Sequence, residues 1–395
     1  MRIAIFSDNF YPELSGISDS IVSLAEGLAE RGHKIIFFVP KYSKKNYKLS
    51  GIQKFSEPNL SPNIQISRFS SLPFPGSGTK QARIVIPGFW RWLKVKKFKP
   101  DIIHSNHFFG VGLEALIAAK ILHISFVGTN HTAITEFVHY SPIKLKNLES
   151  WSEYYVNWYY NKCAFVSAPS QSLLSEMEKN GLRASHGVIS NPIDDKNFLE
   201  FSLAEKSKLK ESFGLSNHTI VYAGRFAEEK HIDILVRGLK QIKSKVPDAI
   251  LALAGHGNVL DKIKTMAREI GVGESVKFLG TIDKPTMAKI YNASEIFTIA
   301  STSEVQSMTI LQAMACGLAA VGANSRGIAD CITDNGLLFE PNNYMDFAEK
   351  VITIFEDQNL RQKLSQNALA IAAKFSSAKI AEEWEKIYTK LINKN

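Results

Sequence analysis

Cysteine is scarce in this chain of 395 residues. Cys163, Cys316 and Cys331 are widely separated and fit no redox or metal-ligand spacing. Their odd number points to a reducing compartment rather than a disulfide scaffold. Long apolar runs are also missing. No stretch approaches the roughly 20 residues that a helix needs to cross a bilayer, and the opening Met1-Arg-Ile-Ala-Ile-Phe-Ser7 reads as a strand, not a leader. The first βα loop holds a single glycine, Gly16, so the G-x-G-x-x-G fingerprint is absent. No Asp-x-Asp motif for a metal occurs, and no nucleic-acid motif. Acidic residues are few in the first half: 13 against 22 basic ones in residues 1–192, while residues 193–395 hold 25 of each.

The net charge of +9 therefore sits wholly in the first half. A basic half beside a neutral one suits an anionic partner, or simply a solvated face. A hydrophobic fraction of 45% and a charged fraction of 22% are those of a globular chain, and the length suggests two domains.

Residues 2–7 form a strand, a helix runs near 17–31 to Gly32, and 34–39 is the next strand, a βαβ unit. Gly16 either lets a diphosphate approach the backbone or makes a tight turn. Residues 40–80 read as surface loops with a strand at 64–69. A helix is expected over about 82–97. It ends in Phe89-Trp-Arg-Trp-Leu-Lys-Val-Lys-Lys-Phe-Lys99, five basic residues interleaved with four aromatic ones. Such a mixture lies well in a lipid headgroup layer; alternatively Trp90, Leu93 and Lys97 pack on the sheet. His131 follows the strand 124–129 at its carboxyl end, where open α/β sheets place ligands. In a helix over 144–162, Trp151, Tyr155 and Trp158 share one face, facing a core, an acceptor or a membrane.

A polar, proline-bearing stretch, Val188 to Asp195, marks the domain boundary, and a second series of alternating strands and helices follows. Arg225 and Lys230, in the loop after strand 219–224, can turn to one point and neutralise a diphosphate; salt bridges to Glu228 and Glu229 are the alternative. The strand 295–300 feeds Ser301-Thr-Ser-Glu-Val-Gln-Ser-Met-Thr-Ile-Leu-Gln312, a helix capped by Ser303 or Ser307. Glu304, at the mouth of that anion cradle, would repel a phosphate, so it either caps or faces hydroxyl groups.

These features in order resemble the GT-B glycosyltransferases of family four: Tyr11-Pro…Ser-Gly-Ile17, Arg31-Gly-His33, Pro100-Asp-Ile-Ile-His104, Ala168-Pro-Ser170, Asn191-Pro-Ile-Asp194, Ala223-Gly-Arg…Glu-Lys230 and Glu304. Glu304-Val-Gln-Ser-Met-Thr309, Asn130-His-Thr…Glu136-Phe-Val-His-Tyr140 and Pro73-Phe-Pro75 are similar to stretches of bacterial diacylglycerol glycosyltransferases. The resemblance implies an α/β GT-B fold, two Rossmann-like domains facing each other over a cleft. Residues 1–192 would bind the acceptor, 193–375 the nucleotide sugar, and the helix in 376–395 would return to the first domain.

It further implies a retaining, metal-independent transfer of a hexose, with UDP-glucose as the first choice of donor and no cofactor. The acceptor would be a membrane lipid alcohol such as diacylglycerol. A soluble or polyprenyl-linked saccharide is the second transferase reading, and a sugar-nucleotide epimerase or non-catalytic nucleotide-binding relative the reading of another class. Arg225, Lys230, Glu304 and His131 would be catalytic. Gly16, Asn191, Gly255, Ser307, Met308, Thr309 and Gln312 would complete the donor site. Trp90, Trp92, Lys94, Lys96, Lys97, His139 and Tyr140 would meet acceptor or membrane. The expected setting is the cytoplasmic face of the cell membrane, with an anionic lipid surface and no nucleic acid as partner. Gln312 replaces the family's second glutamate. Eight residues after Glu304, it is expected on the same helical face, touching the ribose.

Overall fold

The computed structural model describes residues 1–13, 15–49, 56–74, 81–86, 88, 90–133 and 148–394. The chain divides into two compact units, Met1–Pro192 with Ser377–Asn395, and Ile193–Ser376.

The N-terminal unit is built on β1 (Arg2–Phe6), β2 (Lys34–Pro40), β3 (Ile64–Phe69), a two-residue pair β4 (Leu72–Pro73) and β5 (Arg83–Ile84), then β6 (Ile102–Ser105), β7 (Ser125–Thr129), β8 (Phe165–Ala168) and β9 (His186–Val188). All but β4 and β5 make one sheet, ordered β3-β2-β1-β6-β7-β8-β9 and parallel at every pairing. Ile3, Ile5, Phe37, Ile103 and Val127 are fully buried, as expected of strands covered on both faces. The order reverses between β1 and β6, a switch point that opens a crevice at the carboxyl ends of the strands.

The helix Ser377–Ile392 belongs to this unit. It lies so close to the helix Gly16–Glu30 that a Cβ on Gly27 would stand 2.6 Å from the Ser377 carbonyl. Its Tyr388 hydroxyl meets buried His104 Nδ1 at 2.7 Å, and His104 Nε2 meets Thr129 Oγ1 at 2.7 Å. Burial pushes the His104 ring down to about 3, so it is neutral and bonds through both nitrogens.

The C-terminal unit repeats the plan with β10 (Thr219–Ala223), β11 (Ile250–Ala254), β12 (Val276–Gly280), β13 (Ile296–Ile299), β14 (Ala319–Ala323) and β15 (Gly336–Phe339), in the parallel order β12-β11-β10-β13-β14-β15. One core layer holds Leu235, Leu239 and Phe347, the other Tyr291, Leu311 and Met314. Here too the order switches, between β10 and β13.

Two expectations are corrected, and one pair of alternatives is decided. The region 82–97 is not one helix: β5 is followed only by the short helix Trp92–Phe98. Pro87 and Gly88, which disfavour helix, separate the two. Within 40–80, Lys44–Leu49 is helical rather than loop. The helix after β13 runs from Met308 to Ala315 and is capped by Ser307, whose hydroxyl accepts from the Ile310 N–H at 3.4 Å, not by Ser303.

Candidate active site

In the C-terminal unit β10 lies between β11 and β13, so the loops leaving these three strands open at one edge. They are laced together. Gly224 N–H donates to Ala254 O at 3.0 Å, Phe226 N–H to His256 O at 3.0 Å, and Gly255 N–H to Gly280 O at 2.7 Å. Gly255 is required by contact and conformation alike: its φ is +139°, and a Cβ there would stand 1.9 Å from Gly224 O.

On this floor Lys230 Nζ meets Glu304 Oε1 at 2.6 Å, both side chains mostly buried. Arg225 pairs with Glu229 Oε1 at 2.7 Å and keeps much of its guanidinium exposed. Burial pushes the Glu304 carboxyl up. The Lys230 charge and hydrogen bond, the Ser301 hydroxyl and the Arg225 charge outweigh it and hold the group below its ordinary value. Glu304 is therefore an ionised acceptor.

Its loop is held from beneath by Ser325 Oγ, which donates to Thr302 O at 2.9 Å, and by Gly327 N–H, which donates to Glu304 O at 3.1 Å. A side chain at Gly327 would collide with Val305 O, 1.6 Å from the Cβ position. Beyond Glu304, Ser307 caps the helix and its hydroxyl meets Thr309 Oγ1 at 2.9 Å. The arrangement offers a diphosphate two cations and a helix N-terminus, and offers sugar hydroxyls a fixed carboxylate.

Gln312 needs a correction. Glu304 lies in the loop before the cap, so the eight-residue spacing is not two turns of one helix. Gln312 is only 6% exposed, and its amide has no hydrogen-bond partner among the described residues. Met308 is buried against the core rather than presented at the cradle.

Gly16, Asn191 and His131 belong to the N-terminal unit. Gly16 is the first residue of its helix, after the capping residue Ser15. Asn191 is buried, and its Oδ1 accepts from Ser20 Oγ at 2.7 Å. The His131 ring meets Asn106 Oδ1 at 3.0 Å, and burial, with nearby His107 and His104, pushes it down to about 3.

Of the aromatic–basic stretch, Trp90 is 69% exposed and Leu93 52%. Lys94, Lys96 and Lys97 are exposed, and Trp92 is partly so with the Lys96 ammonium over its ring. Val95 and Phe98 supply the packing instead of Trp90, Leu93 and Lys97. His139 and Tyr140 lie outside the described residues. Sequence reasoning missed Asp8, Asn106 and His107, which gather after β1 and β6; the signal was their position just past two buried strands.

Among the described residues no cluster of three or more His, Cys, Asp or Glu could hold a metal, and no helix is long and apolar enough to cross a membrane.

Two parallel-sheet α/β units, the second with paired cations and a fixed carboxylate at its switch point, define a glycosyltransferase of the GT-B fold. The chain belongs to this family: residues 14–197 match the family described as Glycosyltransferase Family 4, and residues 205–370 that described as Glycosyl transferases group 1. It is 26% identical to the alpha-monoglucosyldiacylglycerol synthase of Acholeplasma laidlawii over 100% of this chain and 98% of that protein. It is also 26% identical to the synthase of that name from Streptococcus pneumoniae, over 85% and 74%. Among solved structures, Anabaena HepE in complex with UDP and glucose matches with a TM-score of 0.75 and 21% identity, over 99% of this chain and 100% of that one.

Proposed function

We propose that this glycosyltransferase moves a hexose, glucose in the simplest case, from UDP-glucose to a membrane lipid alcohol such as diacylglycerol or a glycosyl-diacylglycerol, with retention of configuration and without a metal. The observation that carries this reading is the Lys230–Glu304 pair, 2.6 Å apart at the carboxyl edge of β10 and β13, with Arg225 beside it.

Leaving-group charge builds on the diphosphate as the bond to the anomeric carbon breaks. Lys230 as a point charge, Arg225 through its planar fork and the N–H groups at Ser307–Thr309 are placed to stabilise it. Two protein cations supply what a divalent ion supplies elsewhere. Glu304, neutralised by Lys230, is a poor nucleophile and a good acceptor for sugar hydroxyls. That favours a one-face reaction in which a donor phosphate oxygen takes the acceptor's proton. Gln312, whose amide has no hydrogen-bond partner among the described residues, would offer it to the ribose.

The two alpha-monoglucosyldiacylglycerol synthases among the relatives support a lipid acceptor, and the exposed Trp90 with its lysines supports contact with an anionic membrane face at the inner surface of the cell. UDP release measured with UDP-glucose and diacylglycerol vesicles tests the reading. Release that requires the lipid and is lost in Lys230→Ala is expected; release indifferent to the lipid, or to the substitution, overturns it.

A further inference from the structure

Two side-chain bridges tie β6 to β7. In the core, His104 Nε2 meets Thr129 Oγ1 at 2.7 Å, and Thr129 Oγ1 in turn meets Ser167 Oγ of β8 at 2.7 Å. Two residues further along each chain, Asn106 Oδ1 meets His131 Nε2 at 3.0 Å. Backbone bonds anchor both ends of this second bridge. The Asn106 N–H donates to Phe6 O at 2.9 Å, which extends the β1–β6 pairing past Ser105. The Asn130 N–H donates to Ser167 O at 2.9 Å, which extends the β7–β8 pairing past Thr129. Buried Asn130 then accepts from the Thr132 N–H through Oδ1 at 3.1 Å, a turn that carries the chain around His131.

The second bridge decides where the His131 proton sits. An amide oxygen only accepts. The ring is neutral, because burial, with His107 and His104 nearby, pushes it down to about 3. A neutral imidazole carries one N–H. That N–H is therefore on Nε2, aimed at Asn106, and Nδ1 keeps its lone pair. No described residue hydrogen-bonds to Nδ1. Asn106 is buried while His131 is partly exposed, so the open side of the ring is an acceptor and not a donor.

The chemistry of the orienting group matters. A carboxylate at Nε2 would favour the charged imidazolium, which has no lone pair to offer. An amide oxygen fixes the tautomer and leaves the ring neutral. Asn106 is poorly chosen for stability alone. Its Nδ2 is buried with no hydrogen-bond partner, and a buried unmet donor destabilises the fold. Among the described residues, the one bond its side chain makes is the bond to His131.

We propose that Asn106 is a positioning residue for His131: its amide oxygen holds the ring in the Nε2–H form, so that Nδ1 accepts a hydrogen bond from a hydroxyl of the transferred hexose. This deepens the transferase reading and rests on it for the identity of the hydroxyl. The His104–Thr129 bridge keeps the two strands at the spacing that the Asn106–His131 bond needs.

Nitrogen NMR of the full chain, with its histidine rings isotope-labelled, reads the tautomer near neutral pH with no ligand bound. The His131 signals, identified by their loss in His131→Gln, are expected to show a protonated Nε2 and a bare Nδ1. A ring protonated at Nδ1, or an even mixture of the two forms, overturns the proposal whatever the variants do. UDP-glucose should shift the Nδ1 signal and UDP alone should not; equal shifts from both, or none from UDP-glucose that calorimetry shows to be bound, overturn it. Asn106→Leu keeps the branched shape without the acceptor. It should mix the tautomers and lower kcat/KM for UDP-glucose about tenfold, the loss of one hydrogen bond, with UDP affinity unchanged. Asn106→Asp keeps an oxygen opposite Nε2 and should recover the tautomer and most of the rate. A leucine variant with the wild-type tautomer, or an aspartate variant as impaired as the leucine one, overturns the proposal. If UDP-glucose fails to bind, the donor reading falls, and the tautomer alone decides the role of Asn106.

Discussion

Single side chains carry the chemistry, and each makes a separate demand. Lys230 pairs with Glu304 and, on the proposed reading, would also meet a diphosphate. Lys230→Ala removes a charge-assisted bond from a mostly buried carboxylate, costing about 1.5–3 kcal/mol of stability, and lowers kcat by roughly a hundredfold or more; thermal melts and initial rates check the two effects. Arg225, partly exposed and paired among the described residues with Glu229, should show the rate loss with little change in stability. The Gln312 amide has no hydrogen-bond partner among the described residues, and on the proposed reading a ribose hydroxyl would supply one. Gln312→Ala is expected to weaken UDP about tenfold, and Gln312→Glu to tighten it through a charge-assisted bond. Calorimetry measures both, and weaker binding by the glutamate variant would show a site adapted to the amide. Asp8 sets a pH dependence. Burial raises its carboxyl from 3.8 to about 8, so the folded state holds the proton more tightly than the unfolded one. That contribution is complete below pH 3.8 and lost as pH rises through 8. Asp8→Asn should gain in melting temperature over wild type between pH 5 and 9, and parallel curves would refute this.

At the scale of elements, the loops that build the site are fixed by hydrogen bonds and close backbone approaches more than by apolar packing. Gly255→Ala puts a Cβ 1.9 Å from Gly224 O, forces the β10 and β11 loops apart, and should abolish donor binding with a stability loss of about 1–3 kcal/mol. Ser307→Ala removes only a cap, about 1 kcal/mol.

The strands of the C-terminal unit and the meeting of Arg225, Lys230 and Glu304 were legible because apolar runs such as Ile296–Ile299 end in polar loops, and these three residues belong to those loops. The Asp8, Asn106 and His107 group was not legible, because its parts lie about a hundred residues apart and meet only through the pairing of β1 with β6. Nor was the exact start of the helix after β13, since Ser303 and Ser307 are equivalent capping residues until Gly327 and Ser325 tie down the loop between them. The helix expected over 82–97 failed because a basic, aromatic composition outweighed Pro87 and Gly88 in the reading.

Over the whole molecule, the excess positive charge of residues 1–192 and the exposed Trp90 are what support the proposed contact with a membrane surface. Co-sedimentation with anionic vesicles should be strong at low salt, fall as salt rises, and be lost when Trp90, Trp92, Lys94, Lys96 and Lys97 are replaced together; binding that survives the replacement contradicts it. The central claim is sugar transfer from a nucleotide donor at the Lys230–Glu304 pair. Its most direct test is mass detection of product from UDP-glucose and lipid vesicles, run with wild type and Lys230→Ala side by side. The account predicts an acceptor heavier by one hexose with the wild type and none with the variant. Equal product from both, or UDP-glucose consumed with no hexosylated lipid, would contradict it.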